Sequence, residues 1–303
     1  MKIVVLCGGD SPEREVSLVS GKSVAKALSK NHKVFKLDPV KKDFHKKLVR
    51  IKPDCVFIAL HGGKGEDGTI QGFLETLNIP YTGSGVCASA ICMNKIIMKK
   101  ILIFHNIPTP EFVLVERKII PEIPFGYPCV VKPASLGSTI GISIVENSSQ
   151  LKTGLTKAFR LDREVFVEKF IKGKEITIGI IGNEKLQVLP PIEIRTSRKL
   201  YDYHAKYKKG GSQHVIPPEI DKKFLDKASD YAIKTFKVLG CSGFARMEII
   251  IQENGEMFIL DVNTVPGLTP LSLLPDAARH AGISFESLCE KIVELGLERC
   301  AKN

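Results

Sequence analysis

The chain of 303 residues contains no run of about 18 apolar residues, so no segment of it is read as a membrane span. It also lacks the basic-then-apolar opening of a signal peptide. Met1-Lys2 runs straight into a short apolar strand, and the cytoplasm is the expected location. Eight cysteines are present but no Cys-x-x-Cys, which removes the usual spacings of zinc and dithiol redox sites. Most of them sit in apolar runs such as Val4-Val5-Leu6-Cys7, as buried free thiols in a reducing compartment would. Internal repeats and low-complexity segments are missing, and so is any motif that reads a nucleic-acid groove. The net charge of +11 comes from 44 Lys and Arg against 33 Asp and Glu spread along the chain. Its densest cluster, Lys41-Lys42 to Lys46-Lys47, is interrupted by Asp43, Phe44 and His45. A solvated basic surface with an anionic small-molecule substrate accounts for this better than nucleic acid does.

What is present has the length for two or three domains. The first 90 or so residues alternate strands and helices: Ile3–Cys7 as a strand running into Gly8-Gly9, then Ser11 as an N-cap with Pro12 at the first helical position and Glu13 in the first turn. Strands at 34–37 and 55–60, a helix at 69–77 and a short strand near Pro80-Tyr81 complete an open, largely parallel sheet, whose ligands gather at the strands' carboxyl ends. Gly8-Gly9-Asp10 and His61-Gly62-Gly63 sit at such ends. One helix at 89–104 leads to the break Asn106-Ile-Pro-Thr-Pro110. Strands at 129–133, 141–145, 164–170 and 174–181 read as a small antiparallel sheet. A strand near 186–193, a lysine- and tyrosine-rich loop, a helix at 221–239, a hairpin and two terminal helices follow. The expected division is an N-terminal α/β unit at 1–92, a central unit at 93–181 and a C-terminal unit at 182–303, α/β at the start and α+β beyond.

The hairpin carries the sharpest chemistry. Phe244–Ile251 and Met257–Asn263 are apolar runs flanking Gln252-Glu-Asn-Gly-Glu256. Asn-Gly is the strongest two-residue hairpin signal, because a type I′ turn needs positive φ at both central positions. With Asn254-Gly255 as that turn, Glu248 faces Asp261 and Arg246 faces Asn263. Opposed residues share a sheet face, so the four form a polar square with cross-strand Cβ atoms roughly 4.5–5.5 Å apart. Two acids facing each other in apolar strands need neutralising. A hard divalent cation held by Glu248, Asp261 and the Asn263 amide oxygen does this, and oxygen donors suit Mg²⁺. The plainer alternative is a solvated face on which Arg246 screens both acids.

Ser135-Leu-Gly-Ser-Thr-Ile-Gly141 joins two strands, so it is no Walker loop, which needs a following helix and Lys-Ser or Lys-Thr. A loop of this kind can still lay its N–H groups over phosphates, with Lys132 beside it; an ordinary hairpin loop reads equally well. The segment 201–218 packs three tyrosines and three lysines into its first nine residues, ahead of glycine and proline hinges, as a lid or as a mobile surface loop. After the hairpin, Gly267 makes a tight turn, and Thr269 and Pro270 start a helix whose N-terminus favours a carboxylate.

Taken in order, these motifs resemble the D-alanine–D-alanine ligases of the ATP-grasp superfamily. They are Pro12-Glu-Arg-Glu-Val-Ser17, Ala59-Leu-His-Gly62, Gly65-Glu-Asp-Gly-Thr69, Pro80-Tyr-Thr-Gly-Ser-Gly85, Val131-Lys-Pro133, Gly137-Ser-Thr139, Tyr201-Asp-Tyr203, Ala205-Lys-Tyr207 and Asn263-Thr-Val-Pro-Gly267. The resemblance spans essentially the whole chain and implies an N-terminal substrate domain followed by a two-domain ATP-grasp fold. It implies that ATP phosphorylates one D-alanine and that the amine of a second attacks the acyl phosphate, for peptidoglycan precursor synthesis. By matching motif, Glu13 binds the first substrate's ammonium with help from the surroundings of His61. Lys95 and Lys132 hold ATP phosphates and Lys206 reaches the transferred group. Glu168, with Lys169, Phe170 and Ile171 after it, meets adenine, and Glu175 the ribose. Arg246 and the Gly267 N–H stabilise the oxyanion, Ser272 takes the second substrate's carboxylate, and Ser138 and Tyr207 link loop, lid and first helix. Glu248, Asp261 and Asn263 hold Mg²⁺ or Mn²⁺, two ions in the family pattern.

In that pattern the first metal carboxylate is usually Asp and the second Glu; here they are exchanged. Leu136 also stands where relatives are often polar. A depsipeptide ligase using D-lactate is the alternative enzyme, which the Lys206-Tyr207 pairing disfavours. A silent nucleotide-binding module is the alternative outside enzymes, against which stand Arg246, Asn263 and Lys132. Small-molecule partners are expected, with no nucleic acid and no membrane; a homodimer is left open.

Overall fold

The computed structural model describes residues 1–196 and 213–301. It opens with strand β1 (Lys2–Leu6), helix α1 (Arg14–Leu28), β2 (Lys33–Leu37), α2 (Phe44–Ile51), β3 (Cys55–Ile58), α3 (Thr69–Thr76), α4 (Val86–Met93) and α5 (Lys95–Phe104). The strands form a parallel sheet in the order β2-β1-β3, extended by one bridge between Val56 and Tyr81. Ile3, Val4, Val5 and Leu6 are all fully buried, as a parallel strand covered on both faces requires. Gly21 on α1 lets the helix lie against this sheet, since a Cβ there would fall 2.3 Å from the Cys7 Cβ.

Two local expectations are corrected in this region. Ser11 does not cap α1: its Oγ accepts from the Glu13 N–H at 3.1 Å and donates to the His61 carbonyl, so it closes a turn ahead of the helix, and Glu13 is the cap residue. The helix expected at 89–104 is two helices. Asn94 ends α4 in an extended conformation and accepts from the N–H groups of Ile96 and Ile97 (3.1 and 3.2 Å), capping α5. That break turns Lys95 and Lys99 inward together.

Next come β4 (Phe112–Val115), β5 (Cys129–Pro133), β6 (Ser143–Val145), α6 (Ser148–Phe159) and β7 (Val165–Lys169). They make an antiparallel sheet in the order β4-β7-β5-β6, with α6 packed on one face. The strand β8 (Lys174–Gly182), read from sequence into this sheet, belongs to another. Its long partner is β12 (Gly243–Ile251), paired from Gly182–Gly243 to Lys174–Ile251. The central sheet's fourth strand is β4, just after the proline-rich break. The larger sheet runs β11-β10-β8-β12-β13, through β10 (Ile192–Arg195), β11 (Gln213–Val215) and β13 (Met257–Asn263), while β9 (Gln187–Val188) pairs with β8. Helices α7 (Lys222–Val238), α8 (Leu273–His280) and α9 (Phe285–Ala301) cover it and the N-terminal sheet. Among the described residues, no helix is long and apolar enough to cross a membrane.

The β12–β13 hairpin departs from its expected turn. Gln252 and Glu256 close the loop at 2.8 Å, the Gly255 N–H reaches the Gln252 carbonyl at 2.9 Å, and Gly255 has φ +83°. This is a three-residue loop with a left-handed glycine, not a two-residue type I′ turn. Ile251 therefore pairs with Met257 and Ile249 with Ile259, one residue off the expected register. A bulge between Glu248 and Ile249 and their partners then makes Leu260 an extra residue. Beyond it, Glu248 faces Asp261 and Arg246 faces Asn263 after all. Without the bulge Leu260 would oppose Glu248, and Asp261 would point to the opposite face.

Candidate active site

Two neighbouring cavities meet between the three sheets. The first, about 230 Å³, is lined by Lys95, Lys132, Glu168 and Glu175, with Lys169, Phe170 and Ile171 at the end of β7. The second is smaller, about 60 Å³, and is lined by Glu13, His61, Arg246, Asn263, Gly267 and Ser272. Gly137, Ser138, Glu248 and Asp261 line both. A larger groove of about 610 Å³ near the hairpin tip holds none of the expected residues.

The loop after β5 forms the partition. Ser138 and Thr139 both have positive φ (51° and 63°), an unfavoured conformation for residues with a Cβ and rarest for a β-branched one. The surroundings impose it: the Ser135 N–H donates to Asp162 at 2.7 Å, and the Ser138 hydroxyl donates to Glu13 Oε1. Glu13 is boxed in by two glycines, since a Cβ on Gly62 or on Gly137 would fall 2.8 Å from its Oε2.

His61 is buried and its charged form disfavoured by that burial, against the pull of Glu13. Nδ1 lies 3.0 Å from the Val265 carbonyl, an acceptor only, so Nδ1 carries the proton. Nε2 then accepts from the Ser20 hydroxyl at 3.0 Å. Both nitrogens are thus engaged within the protein, and the imidazole ties α1, the loop after β3 and the loop after β13 together. Glu66, for which sequence reasoning had a motif but no role, is buried beside it. Its carboxyl is pushed up to about 8, first by burial and then by Glu13, while Oε2 accepts from the Gly62 N–H at 2.7 Å.

On the hairpin, each acid has a cation. Lys95 Nζ is 3.3 Å from Asp261, and Arg246 Nη2 donates to Glu248 at 2.9 Å. Arg246 Nη1 donates to Thr177 Oγ1 on β8 (3.0 Å), a partner invisible until β8 is known to lie beside β12. Asp261 Oδ1 accepts from the Val262 N–H and Asn263 Oδ1 from the Val265 N–H, both at 3.0 Å, which orients the two side chains. Among the described residues no three His, Cys, Asp or Glu side chains cluster as a metal site. The set here is two carboxylates and an amide, all hard oxygens facing a cavity, a partial shell of the kind Mg²⁺ completes with water and phosphate.

Lys132 and Lys99 share one carboxylate, Glu168, which is almost fully buried. Burial raises the Glu168 carboxyl, but the two ammonium groups outweigh it and hold it below its usual value. Lys99 was not singled out from sequence. Its signal was a lysine one helical turn after Lys95 on an otherwise apolar face.

The expected helix start at Thr269-Pro270 is also corrected. Residues 269–272 form a turn (Ser272 N–H to Thr269 carbonyl, 3.0 Å) and α8 begins at Leu273, with Ser272 as its cap residue. The Ser272 Oγ accepts from the Thr269 N–H at 3.0 Å, and a Cβ on Gly267 would lie 2.7 Å from it. Gly267 and Ser272 thus adjoin at one end of the smaller cavity. Lys206, Tyr207 and the rest of the expected lid at 201–218 as far as residue 212 lie outside the described residues; in its remaining part the loop reading is corrected, since Gln213–Val215 is strand β11.

Comparison with known proteins agrees across the chain. The pattern of the D-ala D-ala ligase N-terminus matches residues 38–84, and that of the D-ala D-ala ligase C-terminus matches residues 103–294. A D-alanine–D-alanine ligase of Pelotomaculum thermopropionicum is 48% identical over 99% of this chain and 98% of its own. One of Carboxydothermus hydrogenoformans is 45% identical over 98% and 99%. The crystal structure of the Bacillus anthracis D-alanine–D-alanine ligase complexed with ATP superposes with a TM-score of 0.88 at 34% identity, covering 100% of this chain and 99% of that one.

Proposed function

The chain belongs to the D-alanine–D-alanine ligase family, and on that premise we propose how its residues divide the work of an ATP-dependent ligation that supplies peptidoglycan precursors. The observation that carries the assignment is the shared wall. One cavity is lined by lysines and the other by Glu13, Arg246 and Ser272, with Ser138, Glu248 and Asp261 common to both. A phosphoryl donor in the first and a carboxylate in the second can then meet across that wall.

ATP takes the larger cavity, with adenine against Glu168, Lys169, Phe170 and Ile171, the ribose near Glu175, and the phosphates on Lys95 and Lys132. D-Alanine takes the smaller cavity with its ammonium on Glu13, held in place by Ser138 and by the glycines that leave no other room. His61 acts as a neutral brace. The carboxylate attacks the γ-phosphoryl group in line, ADP leaves, and the acyl phosphate forms beside Arg246. The second D-alanine, its carboxylate on Ser272 at the start of α8, brings its amine to the acyl carbon. The oxygen that becomes negative is met by Arg246 and the Gly267 N–H, a preorganised electrostatic role. Phosphate leaves and the dipeptide remains. Lys206 would reach the transferred group and Tyr207 would close the link to Ser138.

Glu248, Asp261 and Asn263 fit a pair of divalent ions, Mg²⁺ or Mn²⁺. When bound, these would neutralise the β- and γ-phosphates and free Lys95 and Arg246 from the acids they now balance. The exchange of Asp and Glu across the hairpin preserves the charge, and the bulge at Leu260 keeps Asp261 opposite Glu248. An assay coupled to ADP, with D-alanine and Mg²⁺, is expected to show turnover with D-alanyl-D-alanine formed in the same tube. ADP release only when D-lactate is added would overturn the dipeptide assignment.

A further inference from the structure

Lys99 is fully buried on α5, and nothing in the reaction just described uses it. Its ammonium donates to Thr109 Oγ1 at 2.7 Å and to Glu168 Oε2 at 3.0 Å, and lies 5.3 Å from the Phe112 ring centre and 6.0 Å from that of Phe166. The Thr109 hydroxyl donates in turn to the Ile259 carbonyl (2.9 Å) on β13, the strand that bears Asp261. The other Glu168 oxygen holds Lys132. Neutralising one carboxylate takes one ammonium; a second, wholly enclosed one adds a desolvation cost that its pairing with Glu168 only partly offsets.

We propose that Lys99 is a positioning residue for nucleotide binding: it keeps Glu168 neutralised so that Lys132 can leave that carboxylate for a phosphate. This rests on the assignment of Lys132 to the ATP phosphates. Before nucleotide binds, Lys132 and Lys99 flank Glu168. Once Lys132 turns to the anion, Glu168 and Lys99 remain as a closed one-to-one pair. Without Lys99, the same move would strand a carboxylate nine-tenths or more buried, and Glu168 would have to take a proton from solvent. The other charges facing the group are Asp261 and Glu248, which act on Lys132 from β13 and β12. Neither can replace Lys99, because both are anionic. The link through Thr109 to β13 holds the Lys99 ammonium at a fixed place between the central sheet and the hairpin strand.

The test is calorimetric titration with the non-hydrolysable analogue AMP-PNP and Mg²⁺ near neutral pH, in buffers of different ionisation enthalpy. Lys99→Met is expected to bind the analogue about tenfold more weakly or worse, and to take up about one proton more than the native protein on binding. In the double variant Lys99→Met/Glu168→Gln, the stranded charge is gone. It should lose the extra proton and bind as tightly as Glu168→Gln alone, the reference that carries any loss of the adenine contact. A side chain that only fills space predicts neither the proton nor this match. A native proton count in Lys99→Met, or a double variant weaker than Glu168→Gln, would overturn the proposal. Should Lys99→Met fail to fold, the double variant decides against the same reference: binding equal to that of Glu168→Gln with a native proton count supports the proposal, and weaker binding overturns it. A native protein that bound no analogue would remove the nucleotide assignment as well. That result is distinct from a variant that binds with its proton count unchanged.

Discussion

His61 joins three stretches of chain that are distant in sequence, and it does so in one protonation state. The Val265 carbonyl requires a donor at Nδ1, and the Ser20 hydroxyl then finds a lone pair at Nε2. Burial disfavours the charged ring, and protonating it would also remove the lone pair that Ser20 uses. A histidine whose folded value is depressed contributes stability above its unfolded value of about 6.5, and that contribution is lost as pH falls through the folded value. His61→Gln should therefore lower the melting temperature most above pH ~7 and progressively less towards pH ~5. Melting curves separated by the same interval at every pH would contradict this. Glu13 invites a sharper exchange, because Glu13→Gln retains an oxygen for Ser138 but removes the charge offered to an ammonium. Losing a charged hydrogen bond worth about 1.5–3 kcal/mol should raise KM for the first D-alanine by roughly 10- to 100-fold, with KM for ATP nearly unchanged. Equal loss for both substrates in steady-state kinetics would argue against that role. Glu13, Arg246 and Asp261 were legible in the sequence because each interrupts a local pattern or closes a motif. Glu66, Lys99 and Thr177 were not, since what defines them is burial against residues far along the chain.

At the scale of elements, the hairpin was read to the right residue pairs through a wrong turn. Asn254-Gly255 suggested a two-residue loop; the chain uses three, and the bulge at Leu260 restores the pairing of Glu248 with Asp261. Local turn preference lost to the core, because Met257 and Ile259 are buried and fix which face of β13 points inward. Deleting Glu253 tests this directly. The shortened loop is Asn254-Gly255 alone between Gln252 and Glu256, so a two-residue turn there keeps Ile251 opposite Met257 and leaves Met257 and Ile259 in the core. We expect the stability in denaturant unfolding to stay within about 0.5 kcal/mol of the native protein, as for a surface change that buries the same side chains. A loss of about 2 kcal/mol or more would mean that the third loop residue, and not the core, holds the register. The helix expected at 89–104 failed for a related reason: periodicity runs on through Asn94, and only the cap it makes for α5 shows the break. The misplacement of β8 has another cause. An apolar strand suits any sheet, and its partner β12 lies some 70 residues later, where no local signal could name it.

Across the whole molecule, the site exists only where the three sheets meet. The parallel sheet supplies Glu13 and His61, the central sheet Lys132 and Ser138, and the largest sheet Arg246, Glu248 and Asp261, with Lys95 reaching in from α5. In this arrangement the two acids are balanced by Lys95 and Arg246, so removing either acid's charge leaves a cation to be resolvated rather than a gap in the core. Glu248→Gln and Asp261→Asn should therefore fold normally, with melting temperatures within a few degrees of the native protein, roughly the effect of 1 kcal/mol in a chain of this size. Activity is another matter, since each substitution removes a hard anionic donor. Turnover should fall by about a hundredfold or more in each variant, the scale of losing a preorganised charge in a closed site. Ligand linkage separates metal binding from a direct role in chemistry. Nucleotide with Mg²⁺ at about 100 times its Kd should stabilise the native protein by ~2.7 kcal/mol, whereas nucleotide with chelator should do much less. In both variants the Mg²⁺-dependent part of that thermal shift should vanish. If the variants kept the full shift while losing turnover, the acids would act on the substrates themselves and the ions would have to be held elsewhere.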